Sequence, residues 1–273
     1  MNPNGGRRGC PWTEWLSEFA ATAILLFVTV SLFRLLFGPD SAVAQAIPSA
    51  EPRLVIDALV SGATVGLLIA SPLGRRSGGH LNPAVSLAFW LLRALPGRDA
   101  VAYGVAQLAG SVAGVAAGRA LWGGQVAAPE VGYATVRAAH GVPWTVVFAA
   151  EAAAAAVMLA VAVLVAARPR SLLPVPVVAG TAVAVLILVV GQGAGGSFNP
   201  ARQFGPELFS GDLGWLWVYL TAPPAGAAAF ALVRRRLRNA PRLPCPLCER
   251  HFCHPPDPRP GTGTPTPPAV VRP

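Results

Sequence analysis

Two identical tripeptides offer the first chemical reading of this chain. Asn82-Pro83-Ala84 recurs as Asn199-Pro200-Ala201, 117 residues later. Proline suits the first turn of a helix, where its missing N–H would have no partner and its φ is already helical. Asparagine immediately before it is a favoured N-cap. The residues in front also echo one another: Ser77-Gly78-Gly79-His80-Leu81 precedes the first copy and Gly195-Gly196-Ser197-Phe198 the second. Such glycines let irregular backbone pack closely, which a membrane tolerates where that backbone lines a cavity. One Asn-Pro-Ala is an ordinary helix start, whereas two glycine-preceded copies in equivalent places point to a paired device. If the two helix starts meet, each brings the positive end of a helix dipole, roughly +0.5 charge. A cation there loses its hydration shell and meets no negative group, while the asparagine amides donate hydrogen bonds to a solute oxygen. The chemistry expected is passage of small uncharged molecules, not conversion of them.

The elements that must position these tripeptides are apolar and long. Hydrophobic residues make up 53% of the 273 and charged residues only 12%, about half the ~25% of a soluble domain; the mean hydropathy is +0.53. Six apolar blocks lie at about 13–37, 54–73, 100–121, 145–167, 172–192 and 214–233. Each is near the roughly 20 residues a helix needs to cross the hydrocarbon layer. Two shorter segments, 82–92 and 199–209, begin at the tripeptides and are of re-entrant length. The chain thus reads as two halves, about 12–122 and 143–238, each with three spans and one short segment after the second span. An odd number of spans inverts the second half, so the short segments enter from opposite faces. Residues 1–11 are polar, and the apolar run from Leu16 to Phe37 is too long for a cleaved leader, so it is expected to remain as the first span.

Charge follows this topology. The net charge is +9 and every one of the 21 basic residues is Arg. With both ends cytoplasmic, the inner segments near the spans carry thirteen Arg and the outer ones five, Arg34, Arg53, Arg119, Arg137 and Arg202. That imbalance predicts cytoplasmic termini and a membrane, not nucleic acid, as the partner of the positive charge. Glu18 and Glu151 fall inside the first and fourth spans, at equivalent places of the halves. A bare carboxylate there is costly, so each is expected to face inward and accept hydrogen bonds from backbone N–H groups of the loops ahead of the short helices. The spans hold no paired catalytic carboxylates, no Ser-His-Asp set and no phosphate loop, so no enzyme is expected.

Over residues 12–238 the sequence resembles the aquaporin and aquaglyceroporin family, the major intrinsic proteins. The resemblance is carried by Ser77-Gly78-Gly79-His80-Leu81-Asn82-Pro83-Ala84-Val85 and Asn199-Pro200-Ala201-Arg202. It implies an all-α membrane protein of six transmembrane helices plus two re-entrant half-helices, a homotetramer in a cell membrane with one pore per subunit. It places Arg202 at the outer constriction, repelling cations and donating hydrogen bonds to the solute, and His80 on the cytoplasmic approach, ordering its loop or touching solute. The other constriction positions fall on Gly196, on Ile187, and on Ser61 or Gly62, because the stretch containing Arg75 and Arg76 is one residue longer than usual. Strict water channels tend to carry an aromatic residue on the second helix and His on the fifth; this chain has neither. The resemblance is therefore to the glycerol-passing and nodulin-like branches, admitting water, glycerol, urea or metalloid acids such as arsenous acid. Gln203, where glycerol facilitators usually have Asp, favours the nodulin-like branch. The alternative is a water-selective or poorly conducting protein of the same fold with a scaffold role.

From residue 239 onward the sequence is dominated by Pro, Arg, Gly and Thr, a composition that cannot bury a core and predicts disorder. Within it, Cys245, Cys248, His251, Cys253 and His254 have the types and spacing of a possible zinc site, or of a thiolate site for a thiophilic metal. No cofactor is expected in the pore itself.

Overall fold

The computed structural model describes residues 11–166 and 174–237. The tail from residue 239, with its cysteines and histidines, lies outside them. Ten helices are described: α1 (Trp12–Phe37), α2 (Ala42–Ala46), α3 (Ala50–Ala70), α4 (Pro72–Ser77), α5 (Pro83–Leu91), α6 (Gly97–Trp122), α7 (Trp144–Ala166), α8 (Val175–Ala194), α9 (Pro200–Ser210) and α10 (Leu216–Arg236). Two 3₁₀ turns, Gly123–Ala127 and Gly132–Ala134, lie between α6 and α7, and no strand occurs among the described residues. Six of the helices are long and apolar enough to cross a membrane. Large apolar side chains such as Leu67, Val101 and Val189 are exposed on them, as on helices that face lipid. Trp12 and Trp15 meet edge to face at the start of α1, and Trp144 and Trp217 pack at a tilt near the starts of α7 and α10, where an interface suits amphipathic rings.

Local chemistry sets the ends. Pro72, which cannot continue α3, opens α4 instead, with the Ser71 hydroxyl accepting from the Gly74 N–H at 3.3 Å. Arg75 and Arg76 lie in the last turn of that short helix. Gly78 then closes it at φ 98°, a left-handed conformation glycine adopts freely.

Packing repeats between the halves. α1 lies along α6 as α7 lies along α10, and α3 crosses α8. At that crossing, a side chain on Gly62 would collide with the Gly180 carbonyl, and one on Gly180 with the Gly62 carbonyl. Gly110 and Gly114 admit the Phe19 and Ala23 carbonyls of α1, and Gly226 admits the Ala152 carbonyl of α7. The small-residue stripe on α6 therefore serves contacts inside the chain, where close backbone approach replaces the hydrophobic drive that lipid removes. The half-helices interlock. α5 packs mainly on α10, and α9 mainly on α6, so each leans on the third long helix of the opposite half.

Candidate functional site

Each half-helix starts as its tripeptide requires. Asn82 caps α5, its Oδ1 accepting from the Ala84 N–H at 2.9 Å, and Asn199 caps α9 through the Ala201 N–H at 2.9 Å. Pro83 and Pro200 fill the first helical positions, and Ala84 and Ala201 are fully buried behind them. The asparagine amide nitrogens then cross between the halves. Asn82 Nδ2 donates to the Phe198 carbonyl at 3.0 Å, and Asn199 Nδ2 to the Leu81 carbonyl at 2.9 Å. The two helix starts are thereby joined, and their positive ends face a common point.

The loops that deliver them share one backbone course. Gly78, Gly79 and Leu81 have φ of 98°, 62° and 54°; Gly195, Gly196 and Phe198 have 102°, 75° and 37°. Leu81 and Phe198 bear side chains in the left-handed region, a strain of about 1–2 kcal/mol each. The buried carboxylates hold those same residues. Glu18 accepts from the His80 N–H at 3.0 Å and the Leu81 N–H at 2.8 Å, and also from Gln107 Nε2 at 2.8 Å. Glu151 accepts from the Ser197 N–H at 2.7 Å and the Phe198 N–H at 2.5 Å. Charge-assisted hydrogen bonds to buried N–H groups are the strong kind, and they offset the strain at the residue that carries it.

A cavity of about 410 Å³ runs past both loops, lined by Asn82, Asn199 and Arg202 and by matching faces of α3 and α8. Gly196, Ile187 and Ser61 all line it. Gly62 does not; it is spent on the crossing with α8, so of the two alternatives on α3 the cavity position is Ser61. The reason is helical: Asp57, Ser61, Val65 and Ile69 repeat every fourth residue along the cavity face, and Gly62 points about 100° away. His80 lines the opposite end from Arg202. Its Nδ1 lies 3.1 Å from the Ser86 hydroxyl and its ring sits 4.7 Å from Phe89 and 5.3 Å from Tyr103. It therefore both orders its loop and borders the cavity.

Arg202, in the first turn of α9, donates from Nη1 to the Ala134 carbonyl at 2.6 Å and lies 5.6 Å over the Phe33 ring. Two residues around it, Phe33 and Asp57, were not singled out from sequence, and a third, Gln203, was read there only as a departure from the glycerol facilitators. Phe33 of α1 makes an apolar wall beside the guanidinium. Gln203, fully buried, clamps the α6–α7 connection: its Oε1 accepts from the Val136 N–H at 3.1 Å and its Nε2 donates to the Val136 carbonyl at 2.8 Å. It also donates to Glu207 at 2.6 Å. Asp57 lines the cavity one turn from Ser61. The fourfold spacing of Asp57, Ser61 and Val65 was the available signal for that last residue.

The chain matches the family described as Major intrinsic protein over residues 8–234. It is 38% identical over 177 residues to Aquaporin NIP1-3 of Oryza sativa subsp. japonica, covering 65% of this chain and 60% of that relative. That match thus spans less than two thirds of the relative's length. To Probable aquaporin TIP2-2 of the same species it is 32% identical, over 81% of this chain and 85% of the relative. To the Propanediol uptake facilitator PduF of Citrobacter freundii it is 29% identical, over 86% and 95%. The X-ray structure of the aquaglyceroporin from Plasmodium falciparum has the same fold, with a TM-score of 0.71 and 22% identity over 84% of this chain and 97% of that one.

Proposed function

Because this chain belongs to the major intrinsic protein family, whose members are multi-pass membrane channels for water and small solutes and not enzymes, we propose that its own pore is a wide one. It passes glycerol, urea and uncharged metalloid acids such as arsenous acid as well as water, and excludes ions and protons. The observation that carries this is the make-up of the Arg202 end: Ser61, Gly196 and Ile187 share the cavity wall with Arg202. Two are small and one is aliphatic, so neither an indole nor an imidazole narrows the passage at these positions. Phe33 supplies an apolar face for the carbon skeleton of a polyol while Arg202 offers donors to its hydroxyls. The likeness to a protein named for propanediol uptake supports a pore that takes more than water.

In this reading the Asn82–Asn199 junction and Arg202 form two successive barriers to cations. Neutral solutes exchange water for the asparagine amides and the guanidinium as they pass. We place the Arg202 end on the outer face of a plasma or inner membrane, with both termini in the cytoplasm, on the arginine imbalance between the connecting segments. We also propose a homotetramer with one pore per subunit. No cofactor is needed for passage of this kind.

Reconstitution in liposomes tests the reading. Vesicles carrying the protein should shrink quickly in sucrose. In glycerol or urea they should shrink and then reswell, and they should take up arsenite faster than protein-free vesicles. Shrinkage with no reswelling and no arsenite uptake would overturn the wide pore.

A further inference from the structure

Asp57 has no part in the two barriers just described. Its side chain is only 5% exposed, yet it lines the cavity on α3. Its Oδ1 accepts from the Ser61 hydroxyl at 3.3 Å, and Oδ2 takes no hydrogen bond from the described protein groups. Asp57 lines the cavity, and Oδ2 is not among the enclosed polar atoms left without a partner, so it is open to accept a hydrogen bond from a molecule in the passage. Arg202 stands on a different wall, on α9. No ion pair joins Asp57 to Arg202 among the described residues, whereas Arg137 pairs with Asp212, so Asp57 and Arg202 are not closed onto each other. Between them the cavity presents on one side the guanidinium N–H groups that are not spent on Ala134 and Gln203, and a fixed acceptor on the other.

We infer that Asp57 is a specificity-determining residue: with Ser61 it forms the acceptor half of a solute subsite whose donor half is Arg202, selecting neutral molecules that bear several O–H or N–H groups. A polyol or an amide such as urea can give a hydrogen bond to Asp57 Oδ2 while taking one from Arg202. Water can do the same but gains less, since it passes with few bonds to replace. Anions are repelled by the carboxylate and cations by the guanidinium, so the subsite adds solute capture without admitting charge of either sign. This rests on the wide-pore reading and deepens it.

The test compares glycerol and urea permeability with water permeability in liposomes, for wild type, Asp57→Asn and Asp57→Leu. Asn retains an acceptor without the charge, and Leu retains the shape without either. The ratio of glycerol or urea to water permeability should fall about twofold in Asp57→Asn and at least fivefold in Asp57→Leu. A ratio equal to wild type in both variants overturns the inference. So does a parallel fall of all three fluxes, which marks a purely structural residue. If Asp57→Leu fails to insert, the twofold fall in Asp57→Asn decides the matter. Wild-type protein that passes neither glycerol nor urea fails the wide-pore reading itself, an outcome visible before any variant is compared.

Discussion

Replacing Arg202 by Val should raise cation leak through the channel by about thirtyfold while neutral flux persists. The guanidinium borders the cavity in the first turn of α9, so its charge adds to the dipole of that half-helix. At ~8 Å and an effective dielectric constant of ~20, one unit charge changes the energy of a passing cation by about 2 kcal/mol, which is that factor. The variant should still fold. It loses the 2.6 Å bond to the Ala134 carbonyl, but Gln203 continues to hold the same connection at Val136 from both sides. Removing Arg202 also leaves Asp57 as the uncompensated charge at that end of the cavity, which favours cations further. Adding Asp57→Asn to Arg202→Val should therefore lower the leak again, in the manner of two coupled sites. Potassium-driven voltage changes across liposomes, with and without a proton ionophore, read both effects. Ion exclusion equal to wild type in Arg202→Val would remove the barrier role from this residue.

The second large effect is expected at Glu151. Exchanging it for Gln turns one acceptor into a donor that faces a backbone N–H. The Ser197 or Phe198 N–H loses its partner in a place with no water to replace it, at a cost of about 2–3 kcal/mol. Phe198 sits at φ 37° because those bonds hold it there, so the loop should relax and carry Asn199 and Arg202 out of place. We expect a lower unfolding midpoint in mild detergent, followed by tryptophan fluorescence, and at least a tenfold loss of water permeability. Glu18→Gln should be milder, because one donor to Glu18 is the Gln107 side-chain amide, which can rotate to accommodate the change, whereas the donors to Glu151 are backbone N–H groups. Equal stability and flux for Glu151→Gln and wild type would show that the carboxylate is dispensable to the loop.

The long helices were legible because lipid imposes a length and a composition on them. The segments 82–92 and 199–209 match α5 and α9 to within a residue, since proline and asparagine mark a helix start by covalent geometry. What escaped was orientation. Apolar residues lie on every face of α3 and the one polar cue, Asp57 a turn before Ser61, is faint, so Ser61 and Gly62 could not be separated until α3 was seen crossing α8 at Gly62 and Gly180. α3 also begins at Ala50, four residues ahead of the apolar block, because Glu51 and Arg53 form a polar first turn that hydropathy does not count. It stops at Ala70, before the block ends, because Ser71 and Pro72 start a new helix. The Gln203 clamp was illegible for another reason. It joins residues 67 positions apart through one amide, and no local pattern announces the partner. Gln203 was noticed only as a departure from the glycerol facilitators, whereas its hydrogen bonds give it a structural task at that position.

The crossed amides carry a consequence for how the protein is made. Asn82 finds its acceptor on Phe198, and Leu81 its donor on Asn199, so neither loop contains what it needs. A ribosome adding roughly 5–20 residues per second takes about 6–23 s to pass from one asparagine to the other. Throughout that interval the earlier half waits in the bilayer with its central polar groups hydrated or borrowed by neighbours. The conduit is thus the last thing to come into being, and a nascent chain halted before the second tripeptide is a cluster of helices with nothing to conduct.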